Sequence, residues 1–305
     1  MLKRRIQLKD ITGIAAGRTA LINLPVGPRY HSVTLEVGDT GIAATTAPTL
    51  TGANNIDGEV RVLFGSAIQR RMKLTHLDNI NQSMGGANVA SYAMTGTAGN
   101  GSGRRFLTIY FHEYWRTQLL SNNVDLDALA WPTAWLGGSK FQVQYDIPAI
   151  AAGGLLGAPA LSATAVIDDY VGDGNPPTIM KWFRDDFGSS GTTVSLSTLE
   201  RRDAYAQISA FDTSDAKQVT QARLELGGVP IVEDMTADEN SLFLREHGMV
   251  NQAGCYHMVF DHDDSLNDLL PTNVNSMFLK LTLSAASAGT ISLISQRLGR
   301  PEATS

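Results

Sequence analysis

The chain has 305 residues, enough for about two folded domains of ~100–200 residues each. Its formal net charge is −6, from 24 basic and 30 acidic residues, which argues against a protein that coats nucleic acid, because such proteins carry a basic excess. The single cysteine, Cys255, excludes an internal disulfide framework and a zinc site built from several cysteines.

The composition also predicts how the surface is used. Charged residues make up 18% of the chain, below the ~25% usual for soluble domains, while 43% of residues are hydrophobic. Of the basic residues, 17 are Arg and 7 are Lys. Protein interfaces favour Arg, because its weakly hydrated guanidinium tolerates desolvation better than an ammonium group does. We therefore expect much of the surface to be covered in the working state.

Period-two alternation and β-branched runs dominate the first half of the chain and predict eight strands. They are Arg5–Lys9, Thr19–Leu24, His31–Val37, Glu59–Phe64, Ala67–Met72, Phe106–Phe111, Lys140–Ile147 and Ala160–Ile167. One helix, Thr75–Ser83, follows the fifth strand. The uncharged stretch from Ile147 to Ile167 is too rich in Gly and Pro for a membrane-spanning helix, so it predicts a loop that leads into a strand.

The second half repeats this order. Its predicted strands are Thr178–Arg184, Thr193–Leu199, Ala204–Phe211, Gln218–Leu226, Val229–Glu233, Cys255–Asp261, Met277–Ser284 and Thr290–Ser295. A helix, Thr236–His247, again follows the fifth strand. It opens with a capping box formed by Thr236 and Glu239, and Gly248 is a natural stop for it.

Local sequence matches support an internal repeat. Three pieces align between the halves in the same order: Arg61–Gly65 with Arg223–Gly227, Tyr30 with Tyr205, and Phe111 with Phe260. The shifts are 162, 175 and 149 residues, and they differ because the first half carries longer loops. The chain is thus predicted to contain two copies of one unit of eight strands and a helix.

A unit of this kind suits a jelly roll, in which two sheets close over one core. The predicted fold class is therefore all-β: a tandem double jelly roll of two eight-stranded barrels or sandwiches, each with one short helix. Residues 1–171 would form an N-terminal jelly roll with the longer loops, 172–177 a Gly/Pro linker, and 178–305 a C-terminal jelly roll. A single large sandwich or a pair of lectin-like sandwiches would give much the same pattern.

Catalytic signatures are not found in the sequence. His112-Glu113-Tyr114-Trp115-Arg116 approaches the zincin motif, but Arg116 stands where the second histidine must be, and the stretch follows a strand. No serine lies in a Gly-x-Ser-x-Gly nucleophile elbow. We therefore predict no catalytic residues, no required cofactor and no enzymatic activity.

Acidic clusters at strand ends are candidate cation ligands. Asp261, Asp263 and Asp264 end one predicted strand, and Asp168-Asp169 and Asp185-Asp186 end two others. Hard cations such as Ca²⁺ take six to eight oxygen ligands, which loops at strand ends supply readily. None of these clusters keeps EF-hand spacing. Solvated loop acids and a glycosidase carboxylate pair, whose members stand ~5–10 Å apart, are the alternative interpretations.

Two further groups are candidate contact residues. Trp131 and Trp135 lie on a long predicted loop, where an exposed pair would suit a subunit interface or a glycan platform and a buried pair would be core packing. The basic opening Lys3, Arg4 and Arg5 would suit contact with anionic lipid headgroups or a partner, or else a solvated terminus.

Several segments resemble the corticovirus-type major capsid proteins, the coat proteins of tailless, internal-membrane bacteriophages and related proviruses. The segments Ile6–Gly17 and Leu24–His31 are similar to the opening strands of that family. The stronger match runs from His247 through His257 to Phe260-Asp261 and Asp268–Pro271. It departs from the family pattern where Asn251 replaces Pro and Cys255 replaces a larger apolar residue.

The resemblance implies a structural major capsid protein in the virion, made in the cytoplasm of a bacterial host. It implies homotrimers that act as pseudo-hexamers and tile an icosahedral shell over an internal lipid membrane, beside neighbouring trimers and a vertex (penton) protein. It also implies possible Ca²⁺ binding, for which Asp261, Asp263 and Asp264 are the candidates. Direct nucleic-acid binding is not expected. The competing hypotheses are a carbohydrate-binding or host-attachment β-protein and a glycan-cleaving enzyme.

Overall fold

The computed structural model describes residues 2–39, 56–85, 92–94, 103–112, 129–149, 159–212, 219–252, 254–260, 268–284 and 289–302, and the structural statements below refer to these residues. The first half contains β1 (Arg4–Leu8), β2 (Ile11–Thr12), β3 (Thr19–Leu24), β4 (Arg29–Asp39), β5 (Glu59–Phe64), β6 (Ala67–Lys73), α1 (Leu74–Gly85), β7 (Tyr92–Met94), β8 (Gly103–Tyr110), β9 (Trp131–Pro132), β10 (Phe141–Asp146) and β11 (Pro159–Asp168). A short 3-10 helix, Ala134–Leu136, follows β9.

The second half contains β12 (Ile179–Ser189), β13 (Thr193–Leu196), β14 (Ala204–Asp212), β15 (Val219–Leu226), β16 (Val229–Thr236), α2 (Ala237–Glu246), β17 (Cys255–Val259), β18 (Met277–Leu283) and β19 (Gly289–Gly299). All sixteen predicted strands and both helices are present, with ends that shift by a few residues. The short strands β2, β7 and β9 were not predicted, because two or three residues carry too little alternation. The predicted linker 172–177 lies between β11 and β12.

Each half folds into two sheets with the same strand order. We name the front sheets β1-β11-β4-β8 and β12-β19-β14-β17, and the back sheets β3-β10-β5-β6 and β13-β18-β15-β16. Apart from the three short strands, both front sheets follow the order first, eighth, third, sixth, and both back sheets follow second, seventh, fourth, fifth. This confirms the predicted double jelly roll.

Irregularities of the backbone repeat together with the strand order. A bulge leaves His31 unpaired between β4 and β11, and an equivalent bulge leaves Ala206 unpaired between β14 and β19. The hairpins β5-β6 and β15-β16 both skip a residue soon after the turn, Gln69 in the first and Ile231 in the second, and β15-β16 has a further shift between Ala222 and Leu224 that β5-β6 lacks. Bulges bend and twist a strand at a set position, so their repetition shows that the two rolls share detailed geometry as well as order.

Side-chain contacts repeat as well. The hydroxyls of Tyr30 and Tyr205 each donate a 2.7 Å hydrogen bond to the carbonyl five residues upstream, at Pro25 and Glu200. Asn81 of α1 donates to the carbonyl of Thr108 on β8, and Asn240 of α2 donates to the carbonyl of His257 on β17. Each asparagine thus ties its helix to the sixth strand of its own roll.

The start and stop signals of α2 act as predicted. The Thr236 hydroxyl accepts a hydrogen bond from the Glu239 amide at 3.3 Å, and the Glu239 carboxylate accepts one from the Thr236 amide at 2.9 Å. This is the capping box, which satisfies two backbone donors at the helix start. Gly248 follows the helix with φ +74°, a left-handed conformation that favours glycine.

One hydrophobic core extends across both rolls. It fills the first jelly roll and continues onto the outer face of the second front sheet, through Met180, Trp182, Phe211 and Ile294. A separate cluster fills the second jelly roll. No helix in the described part of the chain is long and apolar enough to cross a membrane.

Candidate functional site: the junction of the two jelly rolls and the surfaces around it

The two rolls are joined edge to edge. The last strand of the first back sheet, β6, pairs in parallel with β12 of the second front sheet, with Arg70 opposite Trp182. This pairing makes a nine-stranded sheet that runs from one roll into the other. We call this region the junction.

Arg70 is the centre of the junction and is fully buried. Its Nε donates to the carbonyl of Met180 at 3.0 Å, and its Nη1 donates to the carbonyl of Tyr110 at 2.6 Å. The guanidinium lies over the rings of Trp182 and Trp131, with centroid distances of 4.7 and 5.0 Å. Cation–π contacts of a desolvated Arg are worth about 2 kcal/mol. One side chain thus connects strands of both rolls.

Helix α1 covers the outer face of the second front sheet. Its His76 stacks on Phe211 of β14, with ring centroids 4.5 Å apart. Near its C-terminal end, the carbonyl of Ser83 accepts a hydrogen bond from the Val250 amide at 2.9 Å. A helix of the first roll therefore packs against a sheet of the second, which adds area to the edge-to-edge pairing.

Buried polar side chains form a row on the covered outer face of the second front sheet. Gln207 donates to Ser209 Oγ at 2.7 Å, and Gln296 donates to Gln207 Oε1 at 3.2 Å. His257 Nδ1 lies 2.9 Å from the same Ser209 Oγ. These residues are almost completely buried. A buried polar network of this kind favours one alignment of the packed elements, because a shift would separate these polar groups from their partners.

Burial keeps two histidines of the junction neutral. It lowers the pKa of His257 to about 4. It lowers the pKa of His76 to about 3, and the positive charges of Arg184 and Lys73 act in the same direction, against the opposing charge of Asp186. Both rings therefore act as uncharged packing groups at neutral pH.

The segment after β19 ties the second roll back to the first. Gln69 of β6 donates to the carbonyl of Glu302 at 3.2 Å and accepts from the Glu302 amide at 2.8 Å. The Glu302 carboxylate accepts from Lys181 Nζ at 2.8 Å, and Lys181 also pairs with Asp203 at 2.6 Å. We call this arrangement the C-terminal clip.

Asp168, a candidate cation ligand in the sequence, is instead part of a buried ion pair. Arg29 Nη2 donates to Asp168 Oδ2 at 2.7 Å, and His31 Nε2 lies 2.8 Å from the same oxygen. Burial acts to raise the pKa of Asp168, but hydrogen bonds from Arg29, the Tyr170 amide and His31 outweigh it and hold that pKa at about 2. The carboxylate therefore stabilises the end of β11.

The predicted Ca²⁺ ligands are not tested by this geometry. Asp261, Asp263 and Asp264 lie outside the described residues. Asp186, from the third acidic cluster, accepts hydrogen bonds from Arg184 and from Ser292. Within the described ranges, no group of three or more His, Cys, Asp or Glu side chains is arranged to hold a metal ion.

Of the two interpretations of the tryptophan pair, the structure favours core packing. Trp131 is fully buried on β9 and contacts the rings of Phe64 and Phe111, with centroids 5.1 and 4.4 Å apart. Trp135 is half-buried, packs edge-on against Phe64 and donates to the carbonyl of Pro132. The loop folds back because so much aromatic surface is more stable in the core than in water. Trp131 thus presents no surface to a partner, and a glycan platform built on this pair loses its basis.

Lys3, Arg4 and Arg5 are exposed at β1, the edge strand of the first front sheet. Arg4 pairs with Asp169 at 2.7 Å, and both side chains are more than half exposed. Their predicted role in contacts with a membrane or a partner therefore stays a prediction, and their position at a free sheet edge is compatible with it.

Sequence reasoning missed the main junction residues. Arg70 was predicted only as part of a strand, although alternation groups it with the apolar Ile68 and Met72, and a charge at such a position was a usable signal. The partners of Gln69 and Gln207 had no local signal, because Glu302 and Gln296 are remote in sequence.

Two jelly rolls joined side by side in one chain define the class of double jelly-roll viral capsid proteins. The structure is similar to the major capsid protein P2 of bacteriophage PM2, with a TM-score of 0.71 at 18% identity over 99% of this chain and 98% of that one. It is also similar to a chain of Sulfolobus turreted icosahedral virus (TM-score 0.70, 13% identity, 98% and 91% covered) and to a chain of the PBCV-1 capsid (TM-score 0.66, 11% identity, 99% and 97% covered).

Sequence comparison gives the family. Residues 5–168 match the family model of the viral coat protein P2 N-terminal domain, and residues 187–301 match that of its C-terminal domain. The chain therefore belongs to the viral coat protein P2 family. No curated protein is significantly similar in sequence. The predicted resemblance is confirmed, and the protein is a structural, non-enzymatic coat protein of a virion capsid.

Proposed function

We propose that three copies of this coat protein associate into a homotrimer, whose six jelly rolls form a pseudo-hexagonal building block of an icosahedral shell. The observation that carries the proposal is the identical strand order of the two rolls, joined edge to edge within one chain. Two similar walls per chain supply six walls per trimer. Such a unit fills a six-fold position of a lattice with only three chains.

The junction supports this role because it resists bending between the rolls. Arg70 is buried between them, α1 covers the second front sheet, and the C-terminal clip ties Glu302 to Gln69. A hinge motion at the junction would separate buried polar groups from their partners, and each such group costs about 1–3 kcal/mol when left unsatisfied. A rigid pair of rolls suits a block that must present fixed angles to its neighbours.

Assembly also requires extensive contact between chains. Obligate interfaces bury ~2,000 Å² or more, and the low charge and high Arg share of this sequence suit a surface of that kind. Neighbouring trimers and a vertex protein would be the further partners in the shell.

The shell is proposed to enclose an internal lipid membrane. Lys3, Arg4 and Arg5 are exposed, and each basic residue near an anionic lipid surface is worth ~1 kcal/mol. Flotation of the purified protein with anionic and with neutral vesicles tests this contact. Binding that requires anionic lipid and is lost when Lys3 becomes Glu would support it, whereas equal recovery with both vesicle types would contradict it.

A structural Ca²⁺ ion held by Asp261, Asp263 and Asp264 is a separate proposal, supported by the oxygen-rich composition of that segment. Thermal unfolding of the protein, with and without a chelator, tests it. A lower melting temperature in chelator that is restored by added Ca²⁺, and is absent in the Asp263→Asn variant, would support the site. An unchanged midpoint would contradict it.

Light scattering coupled to size-exclusion chromatography tests the main proposal. We expect three times the mass of one 32.7 kDa chain, and negative-stain images with six-sided outlines. A monomer at all concentrations, or a stable dimer or tetramer, would overturn the trimer.

A further inference from the structure

The fifth strand of each jelly roll has a different environment, although the two hairpins have the same geometry next to the turn. Strand β6 follows the Gly65 turn and skips Gln69, while β16 follows the Gly227 turn and skips Ile231. Gln69 is fully buried at the junction, but Ile231 is 47% exposed and Val229 is 61% exposed. An open edge strand with apolar side chains is a site for pairing with another chain.

The first strand of each roll differs in the complementary way. Strand β12 has neighbours on both sides, β19 and β6. Strand β1 pairs with β11, and no other described strand pairs with its second edge. Each chain thus uses one fifth strand and one first strand for its own junction, and leaves one of each open.

We infer that β16 of one copy pairs in parallel with β1 of the next copy, so that the contact between chains repeats the junction within the chain. This contact is head-to-tail, and it closes into a ring when the rotation between successive rolls is the same at every step. The inference rests on the proposed trimer and names the surfaces that form it.

The junction within the chain predicts the register. Arg70 stands opposite Trp182. The repeat places Val232 at the position of Arg70, because both lie opposite the equivalent residue of the fourth strand. It places Arg5 at the position of Trp182. Arg5 pairs with Val166 and Trp182 pairs with Gln296, and each partner lies next to the bulge that both rolls share. We therefore expect Val232 of one copy to lie opposite Arg5 of another.

Charge supports the same pairing. Glu233 follows Val232 on β16 as Arg71 follows Arg70 on β6, so the open fifth strand carries an acidic residue where the covered one carries a basic residue. Lys3 precedes β1, and Arg4 and Arg5 are its first two residues. The side chains of Glu233 and Arg5 are exposed, and neither forms an ion pair within the described ranges. Opposite charges at an open edge favour the correct partner and reject like edges.

The two helices also differ in what they cover. Helix α1 packs on the outer face of the second front sheet, but α2 leaves Leu242 61% exposed. The outer face of the first front sheet carries exposed or half-exposed side chains such as Thr34, Glu36 and Thr164. By the same repeat, Leu242 of one copy would pack against this face of the next copy. A more polar face suits a contact that forms only after each chain has folded.

The experiment uses the full chain and compares the mass by light scattering over a range of concentrations. The Ile231→Asp variant should raise the concentration at which half of the chains are trimeric by at least about tenfold, because a charge would be placed in an apolar contact. Ile14→Asp is the matched control: Ile14 is 39% exposed in the segment between β2 and β3 and lies on neither of the two open edge strands, so its substitution should leave the trimer unchanged.

A charge exchange tests the pairing of the two strands. Glu233→Arg and Arg4→Glu should each weaken the trimer, and the double variant should recover most of the loss, because with Val232 opposite Arg5 the side chains of Glu233 and Arg4 fall on the same face of the sheet. Hydrogen exchange gives a second measurement that needs no variant. The amides of β16 should exchange at least about tenfold more slowly in the trimer than after dilution to monomer. The amides of β13, the other edge strand of the same sheet, should exchange at the same rate in both states.

The outcomes separate this inference from the proposed function. A wild-type protein that never forms trimers defeats the proposed function itself. A wild-type trimer that survives all the β16 and β1 variants, without slower exchange in β16, keeps the proposed function and overturns this inference. If Arg4→Glu leaves the trimer intact and abolishes binding to anionic vesicles, the opening of β1 contacts membrane and not a second copy, which also overturns it.

Discussion

Two strands with the same place in the same topology, β6 and β16, face different neighbours. The first is buried against the second jelly roll and carries Gln69 and Arg70, both fully buried, whereas the second is open and carries Val229 and Ile231 at its surface. Buried polar side chains thus lie in the permanent contact, where fixed partners hold them, whereas the open edge exposes apolar side chains beside the charge of Glu233. A duplicated fold can therefore keep its backbone geometry and still assign one copy of a strand to internal packing and the other to assembly.

Removing the central charge of the covered junction should have the largest effect. Arg70→Met deletes two hydrogen bonds to carbonyls and the contacts with two indole rings, and removes the guanidinium donor from both carbonyls. We expect the free energy of unfolding to fall by about 3 kcal/mol or more. Urea denaturation measures it. Arg71→Met, one residue along the same strand at a half-exposed position, is the control and should cost less than about 1 kcal/mol.

Acid should destabilise the junction between the two jelly rolls through its buried histidines, His76 and His257. The pKa of His76 is lowered to about 3 and that of His257 to about 4, so below pH ~6.5 the unfolded chain binds protons that the folded chain does not. The free energy of unfolding should therefore fall as the pH drops from 6.5 to 4, by up to about 1.4 kcal/mol per pH unit for each histidine.

Denaturant unfolding at a series of pH values checks this slope, and a His76→Gln variant should show a smaller one. The window ends at pH 4 because protonation of Asp168, whose folded pKa is about 2, removes further stability below the unfolded carboxyl pKa of ~3.9. A wild-type slope of zero between pH 6.5 and 4 would contradict the assignment of both rings.

Loosening the C-terminal clip should lower the free energy of unfolding by a smaller amount. Glu302→Ala removes the ion pair at 2.8 Å with the buried Lys181, which keeps Asp203 as its partner. We expect a loss of about 1–2 kcal/mol in the free energy of unfolding. Arg202→Ala is the control, because this exposed side chain pairs with Glu302 only at 3.7 Å and should change stability by less than about 0.5 kcal/mol. Equal losses from both variants would argue against a specific clip.

The smallest loss of stability is expected at α2, the helix that leaves Leu242 exposed. Thr236→Ala removes the hydroxyl that caps α2 and should lower the free energy of unfolding by about 1 kcal/mol. Thermal unfolding measures it. Glu246→Ala, at the exposed far end of the same helix, should leave the melting temperature nearly unchanged. If both variants behave alike, the cap contributes no stability to this exposed helix.

The positions of the main strands were readable from the sequence because each roll buries one face of each sheet, and alternation follows from that burial. The capping box of α2 was also readable, since Thr236 and Glu239 interact within one helical turn. The tryptophan pair was not, because its burial depends on Phe64 and Phe111, which belong to other strands. The Ca²⁺ ligands and the membrane contact stay predictions.

The sequence by itself determined that this protein is all-β, internally duplicated and similar to viral coat proteins, because alternation, turn residues and short matching segments are local properties. Only the tertiary structure decided which copy of a repeated element is covered. Arg70 and Val232 occupy the same position of the same fold, yet one is a buried cation at a junction and the other lies on an open edge strand. The physical reason is that burial depends on neighbours distant in the chain, which neither strand encodes alone.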